Sequence, residues 1–258
     1  MSKEELAPLY VKQSALNYWE VTDEFPGLEY CDGRGIIAVG GDYSPQRLLQ
    51  AYRRGIFPWP HSEEMPIFWH CPVQRYVLRT SELHIPRSLK RVMKKTPFRV
   101  TMDTAFSRVI NACASRKRPD QHEQATDEGE EETSTWITKD LIEGYCRLHD
   151  LGYAHSVEAW LEDELVGGFY GIAIGRMFYG ESMFTYVSDA SKVAFVHFVE
   201  WLHRHDFPLI DCQAYTEHLA RFGAKHCLRS TFLKRVEELT ALQPLSGPWS
   251  KYSCVRAN

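Results

Sequence analysis

No stretch of this 258-residue chain approaches the roughly 18 uninterrupted apolar residues that a membrane-spanning helix needs. The opening Met1-Ser2-Lys3-Glu4-Glu5 carries acid where a secretory signal carries basic charge followed by an apolar run. A soluble, unexported, cytoplasmic chain that meets no membrane is therefore expected. The seven cysteines form no C-x-x-C pair and are odd in number. That excludes a disulfide framework or a zinc ribbon and predicts free thiols, each packed as a small hydrophobe. There is no P-loop, no G-x-S-x-G and no H-E-x-x-H. His203 and His205 would point about 200° apart on a helix, so with His197 they offer no metal site. Gly167-Gly168 and Gly171 do not form G-x-G-x-x-G between a strand and a helix; they mark a bulge or a close backbone approach instead. No cofactor is expected, and no internal repeat is present.

The composition, 44% hydrophobic, 13% aromatic and 25% charged, is that of a globular chain of one or two domains. Net charge is −4, which by itself disfavours a polyanionic partner. The sign is unevenly distributed, however. Seven acids lie within residues 120–132 with no Lys or Arg among them, and setting them aside moves the balance to +3. Apart from Ala125, segment 117–134 lacks apolar residues and reads as a disordered surface insertion. Residues 75–99 carry eight basic side chains against Glu82 alone. Such a stretch either attracts a polyanion through counterion release or is simply a solvated helix face.

Local signals order the chain. Gly35–Val39 is a short apolar run. Ser44-Pro45 opens a helix that Gly55 closes. Ile56-Phe57-Pro58-Trp59-Pro60 can be neither regular helix nor central strand, because each proline lacks a donor. A strand at 76–78, a basic helix at about 87–95, a strand at 98–102 and a helix at 104–115 follow. Beyond the insertion, an amphipathic helix carries Leu141, Ile142, Tyr145 and Leu148 and stops at Gly152. Segments 153–161, 165–174 and 176–184 read as an antiparallel meander. Ser188 is then expected to cap a buried helix, 189–205, ahead of a strand at 209–213 and helices near 216–222 and 230–240. The fold class is α+β, with helices packed on a mixed sheet.

Two places invite chemistry. Strict alternation along 176–184 puts Met177, Tyr179, Glu181 and Met183 on one strand face. A carboxylate in that setting is expensive to ionise unless it meets a cation, either a protein Arg or Lys or a cationic ligand. On the strand from Leu209, Asp211 and Gln213 share a face, where they could orient a nucleophile or cap the helix near Thr216.

Several ordered motifs carry a resemblance: Gly40-Gly41-Asp42, Arg54-Gly55-Ile56-Phe57-Pro58-Trp59, Thr135-Trp136-Ile137-Thr138, Gly180-Glu181-Ser182-Met183-Phe184, Ala190-Ser191-Lys192 and Ile210-Asp211-Cys212-Gln213. From about residue 25 to 240 the chain closely resembles the bacterial leucyl/phenylalanyl-tRNA–protein transferases. The resemblance implies transfer of leucine or phenylalanine from aminoacyl-tRNA onto proteins beginning with Arg or Lys, which marks them for degradation. It also implies a small N-terminal domain, here 1–72, and an acetyltransferase-like (GNAT-type) mixed-sheet domain, here 73–258, with the site between them. A monomer is expected. Family residues tied to function map onto Trp59, Trp136, Glu181, Met183, Asp211 and Gln213. Phe169 stands where the family commonly has methionine, which would shift preference among leucine, phenylalanine and methionine. Ser134-Thr135 stands before Trp136 where a glycine is common.

The expected site follows. Asp211 orients Gln213 toward the attacking amine, and Glu181 holds the acceptor's cation. Trp59, Trp136, Met183, Phe169 and Phe178, with Met177, line an adaptable apolar pocket. Arg87, Lys90, Arg91, Lys94 and Lys95 contact tRNA phosphates. An acetyl-CoA-dependent acetyltransferase would need a glycine-rich phosphate cradle before the long helix, and Thr185–Asp189 contains no glycine. A non-catalytic tRNA-binding adaptor and a transferase acting on acidic N-termini remain as alternatives.

Overall fold

The computed structural model describes residues 11–13, 18–21, 24–60, 65–95, 98–115, 137–245, 247–252 and 255–256. Trp136 and the acidic segment 117–134 lie outside them. A small sheet combines β1 (Val11–Gln13), β2 (Tyr18–Glu20), β3 (Ile36–Val39), β4 (Phe57–Pro58) and β5 (Phe68–His70) in the order β1-β2-β3-β5-β4. A large mixed sheet combines β6 (Gln74–Arg79), β7 (Arg99–Met102), β8 (Ala154–Leu161), β9 (Glu164–Ile174), β10 (Met177–Thr185), β11 (Leu209–Asp211), β12 (Lys225–Leu228) and β13 (Val255–Arg256). Its order is β12-β6-β11-β10-β9-β8-β7-β13. The helices are α1 (Pro45–Arg53), α2 (Arg87–Lys95), α3 (Phe106–Ala114), α4 (Lys139–Asp150), α5 (Ala190–Arg204), α6 (Glu217–Arg221) and α7 (Arg229–Thr240). The fold is α+β.

The strongest local signals act as read. Ser44 Oγ accepts from the Arg47 amide with Pro45 in the first turn of α1, and Thr138 Oγ1 accepts from the Leu141 amide at the start of α4. Phe57-Pro58 forms a strand only at the sheet edge, where a missing donor costs no ladder bond. Strands β8, β9 and β10 form the antiparallel meander. From its end, α5 crosses over to bring β11 parallel to β10.

Ser188 does not cap α5. Asp189 occupies the cap position with a φ of 66°, and its carboxylate pairs with Lys192 Nζ at 2.7 Å. Thr185 Oγ1 reaches the free Ser191 amide instead, at 3.4 Å. The strand expected at 209–213 ends at Asp211. β5 and β12 carry no alternation long enough to read from sequence; each is four residues or fewer and gains its pairing from a neighbour.

Two cores flank the large sheet. One joins its face to the small sheet, α1, α3, α4 and α7 through Trp69, Tyr52, Val109, Tyr145, Tyr179 and Phe232. The other lies beneath α5, with Phe169, Phe178, Phe198, Trp201 and Trp249. The meander glycines are sites of close approach. A β-carbon at Gly167 would lie 2.8 Å from the Ser191 nitrogen in the first turn of α5, and one at Gly171 would lie 2.2 Å from the Tyr179 carbonyl oxygen. Gly171→Ala therefore forces β9 and β10 apart and lowers stability by about 1–3 kcal/mol. Urea unfolding measures this, and an unchanged midpoint would show that the strands yield without cost.

Candidate active site

Glu181 sits where β10 breaks register with β9: Gly180 pairs with Gly171 and Ser182 with Tyr170, which leaves Glu181 as the extra residue of a β-bulge. The bulge ends the strict alternation. Met177 and Tyr179 belong to the core beneath the small sheet, Met183 packs on the opposite core beneath α5, and Phe184 takes up the first side again. The shared face expected for Met177, Tyr179, Glu181 and Met183 is thus corrected at its last member.

Three side chains from different elements converge on the carboxylate. The Tyr52 hydroxyl of α1 donates to Oε1 at 2.7 Å, the Tyr145 hydroxyl of α4 to Oε2 at 3.1 Å, and Gln213 Nε2 to Oε1 at 2.8 Å. The two tyrosine hydroxyls also lie within hydrogen-bonding distance of each other; with one proton apiece they cannot fill all three contacts, and the third is filled when Glu181 itself carries a proton. Tyr52 is fixed in turn by the Tyr179 hydroxyl, which donates to its carbonyl at 2.8 Å. Among the described residues no Lys or Arg pairs with Glu181. Burial pushes its carboxyl up to about 8, against the opposing pull of the two hydroxyls. Burial, reinforced by the nearby carboxylate, raises both tyrosines well above their usual value, so they remain hydroxyl donors.

Asp211, at the end of β11, is fully buried and spoken for. Its two oxygens accept from Arg75 Nε at 2.7 Å and Nη2 at 2.6 Å. Oδ1 also accepts from the Gln213 backbone amide at 2.9 Å. Gln213 is held at a φ of 60°, a left-handed conformation uncommon for a residue with a β-carbon. The cap of α6 is Thr216, whose Oγ1 accepts from the Leu219 amide, so Asp211 and Gln213 are not its capping pair.

The remaining expected residues divide. Trp59 follows edge strand β4, 38% exposed, with its ring 6.1 Å from that of Phe57. Phe57 in turn lies under the Arg75 guanidinium at 4.4 Å. Phe169 and Phe178 are not brought to Glu181; they pack against Phe198 at 5.3 and 4.7 Å in the core beneath α5. Met183 pairs in register with Phe169 on that same side. Arg87, Lys90, Arg91, Lys94 and Lys95 are exposed along α2, whose Leu89 alone is buried. Arg75, counted with them in the basic stretch, belongs to the interior.

Sequence reasoning missed Tyr52, Tyr145 and Arg75. Both tyrosines lie on apolar helix stripes, with Leu48 and Ala51 in α1 and with Leu141 and Leu148 in α4. A tyrosine on a buried stripe needs a partner for its hydroxyl, and that was the available signal. A groove of about 630 Å³ between the Thr80–Glu82 turn and α5, lined in part by His197, Glu200, His203 and Arg204, shares no residue with the Glu181 cluster. No three His, Cys, Asp or Glu side chains come together among the described residues. Nor is any helix among them long and apolar enough to cross a membrane.

Comparison with known proteins places this geometry in context. Residues 77–237 match the family model for leucyl/phenylalanyl-tRNA protein transferase, and residues 41–73 match the model for the N-terminal domain of the same proteins. The chain is similar to proteins named leucyl/phenylalanyl-tRNA–protein transferase from three bacteria. It is 48% identical to that of Myxococcus xanthus over 227 residues, covering 88% of this chain and 92% of the relative. For Anaeromyxobacter sp. strain K the figures are 48% over 225 residues, 87% and 91%. For Syntrophobacter fumaroxidans they are 49% over 238 residues, 92% and 97%.

The raised Glu181 pKa gives a stability signature. Between its ordinary value of 4.5 and about 8, the folded state holds a proton that the unfolded chain has released. Stability therefore falls as pH rises through that window. The thermal midpoint of the wild type, referred to that of Glu181→Gln, drops progressively from about pH 5 to pH 9. A difference that stays flat or rises would show an ionised, compensated Glu181.

Proposed function

Because the chain belongs to the leucyl/phenylalanyl-tRNA protein transferase family, we propose that it transfers leucine or phenylalanine from aminoacyl-tRNA to the α-amine of proteins beginning with Arg or Lys, marking them for degradation. The observation that carries the acceptor assignment is Glu181, a carboxyl group that Tyr52, Tyr145 and Gln213 hold in place and that no described Lys or Arg pairs with. A guanidinium or ammonium entering beside it supplies the missing charge.

The reaction needs little beyond placement. The acceptor's neutral amine attacks the ester carbonyl that joins the amino acid to the terminal ribose. A peptide bond forms, the bond to the ribose oxygen breaks, and the amine's proton passes to that oxygen. Gln213 spends its NH2 on Glu181, so its amide oxygen is the end that accepts from the attacking amine. An aminoacyl ester is already activated, and orientation supplies most of the acceleration. Asp211, locked to Arg75, orients Gln213 through the backbone.

Pairing of β10 with β11 ends at Tyr179 and Asp211, while β10 runs on to Thr185. In our reading the acceptor's cation lies at this notch on the α1 and α4 side. The transferred side chain lies on the α5 side against Met183, with Phe169 and Phe178 as the floor behind it. Trp59 closes the rim. The exposed cations of α2 meet tRNA phosphates. We divide the chain into an N-terminal domain, 1–72, and a catalytic domain, 73–258, acting as a cytoplasmic monomer without a cofactor.

Radiolabelled Leu-tRNA and Phe-tRNA offered with peptides beginning in Arg, Lys, Glu or Ala test the proposal directly. Label goes only to the Arg and Lys peptides; transfer to the Glu peptide would overturn the acceptor site, and no transfer at all would overturn the activity. Two supporting measurements follow. The KM for an Arg peptide falls as pH rises toward 8, since the bound cation requires an ionised Glu181, and in Glu181→Gln that fall is lost. Replacing Lys90 and Lys94 by Gln flattens the dependence of tRNA affinity on log salt by about 1–2; an unchanged slope would remove α2 from the tRNA surface.

A further inference from the structure

Arg75 takes no part in the reading above except as the partner of Asp211, yet the structure gives it the most constrained setting of any described cation. Its side chain is 1% exposed. The guanidinium lies between two aromatic rings, with Cζ 4.4 Å from the centroid of Phe57 on β4 and 4.7 Å from that of Phe232 on α7. Nε and Nη2 form the side-on fork to Asp211. Nη1 is buried without a hydrogen-bond partner among the described residues.

A buried ion pair is a weak stabiliser even when every donor is satisfied, and this one leaves a donor unmet. Stability alone gives a poor account of it. What the pair does supply is direction. Two rings fix the plane of the guanidinium, its fork fixes both oxygens of Asp211, and Oδ1 then holds the Gln213 amide. That bond keeps Gln213 at a φ of 60°, the backbone setting from which its side chain reaches Glu181 at 2.8 Å. We infer that Arg75 is a positioning residue for aminoacyl transfer: through Asp211 it sets the backbone of Gln213, and so the place of the amide that receives the attacking amine. The inference rests on the proposed role of Gln213. It also gives Phe57 and Phe232 a function, because the packing of the small sheet and α7 on the guanidinium becomes part of the alignment of the site.

Lysine keeps the charge but has neither the fork nor the plane. Arg75→Lys is therefore expected to lose about 100-fold in kcat, the scale of an ångström-sized misplacement, while KM for Phe-tRNA and for an Arg peptide stays within about threefold. The double variant Arg75→Met/Asp211→Leu replaces the pair by apolar groups. It is expected to regain the thermal midpoint lost on replacing Arg75 alone by Met, yet to remain slow. Each variant is assayed at a temperature where circular dichroism shows it folded. Arg75→Lys with kcat within twofold of the wild type, or a double variant that regains turnover together with stability, would overturn the inference. Gln213→Ala separates the two levels. If it turns over like the wild type, the role of Gln213 fails and Arg75 with it. If it is slow while Arg75→Lys is normal, only the positioning role of Arg75 fails.

Discussion

The site depends on a carboxyl group drawn largely out of water with no described cation beside it. Desolvating Glu181 is costly, and the protein offsets part of the cost with hydroxyl and amide dipoles rather than with an opposite charge, so the carboxyl keeps its proton up to about pH 8. That choice has structural consequences. It requires Tyr52 from α1, Tyr145 from α4 and Gln213 from beyond β11 to arrive at one point, so the helices on the small-sheet side of the molecule are tied to the large sheet through hydrogen bonds as well as apolar contact. It also requires a place on β10 where a side chain can leave the alternation, which the bulge at Glu181 provides.

Two acidic side chains stand within a few residues of the same notch and are treated in opposite ways. Asp211 is neutralised by a protein guanidinium and fully enclosed, whereas Glu181 is half-buried and unpaired by any described cation. Their environments divide the labour. A carboxylate already locked to arginine is a fixed strut, and a carboxylate lacking a counter-charge is a receptor for one. The same pair of residue types, read without their neighbours, would look interchangeable.

Much of the fold could be read from the chain because its signals are short-range. Ser44-Pro45 and Thr138 cap helices whichever core those helices join. The meander strands are set apart by their turns, and the glycines at 167 and 171 announce the close approaches seen against α5 and β10. Glu181 and Asp211 stood out because carboxylates on apolar strands demand a partner, and Gln213 because it lies two residues from Asp211. By contrast, nothing local distinguishes Arg75 from the exposed basic residues of α2. Its burial comes from Phe57, Phe232 and Asp211, which lie 18, 157 and 136 positions away in the chain. The cap of α5 likewise moved from Ser188 to Asp189 and Thr185 because the first turn of the helix is pressed onto Gly167.

By itself, then, the sequence determined the α+β class, the charge-bearing helix α2 and the demand that Glu181 find a partner, since each follows from spacing and composition within a few turns or strands; the family came from the resemblance of its ordered motifs. Tertiary structure alone decided what that partner would be. It set two tyrosine hydroxyls and an amide around the carboxylate, turned Met183 onto the opposite face through a one-residue bulge, and enclosed Arg75 against Asp211. Those outcomes depend on which distant elements share a surface, and side-chain periodicity carries no information about that.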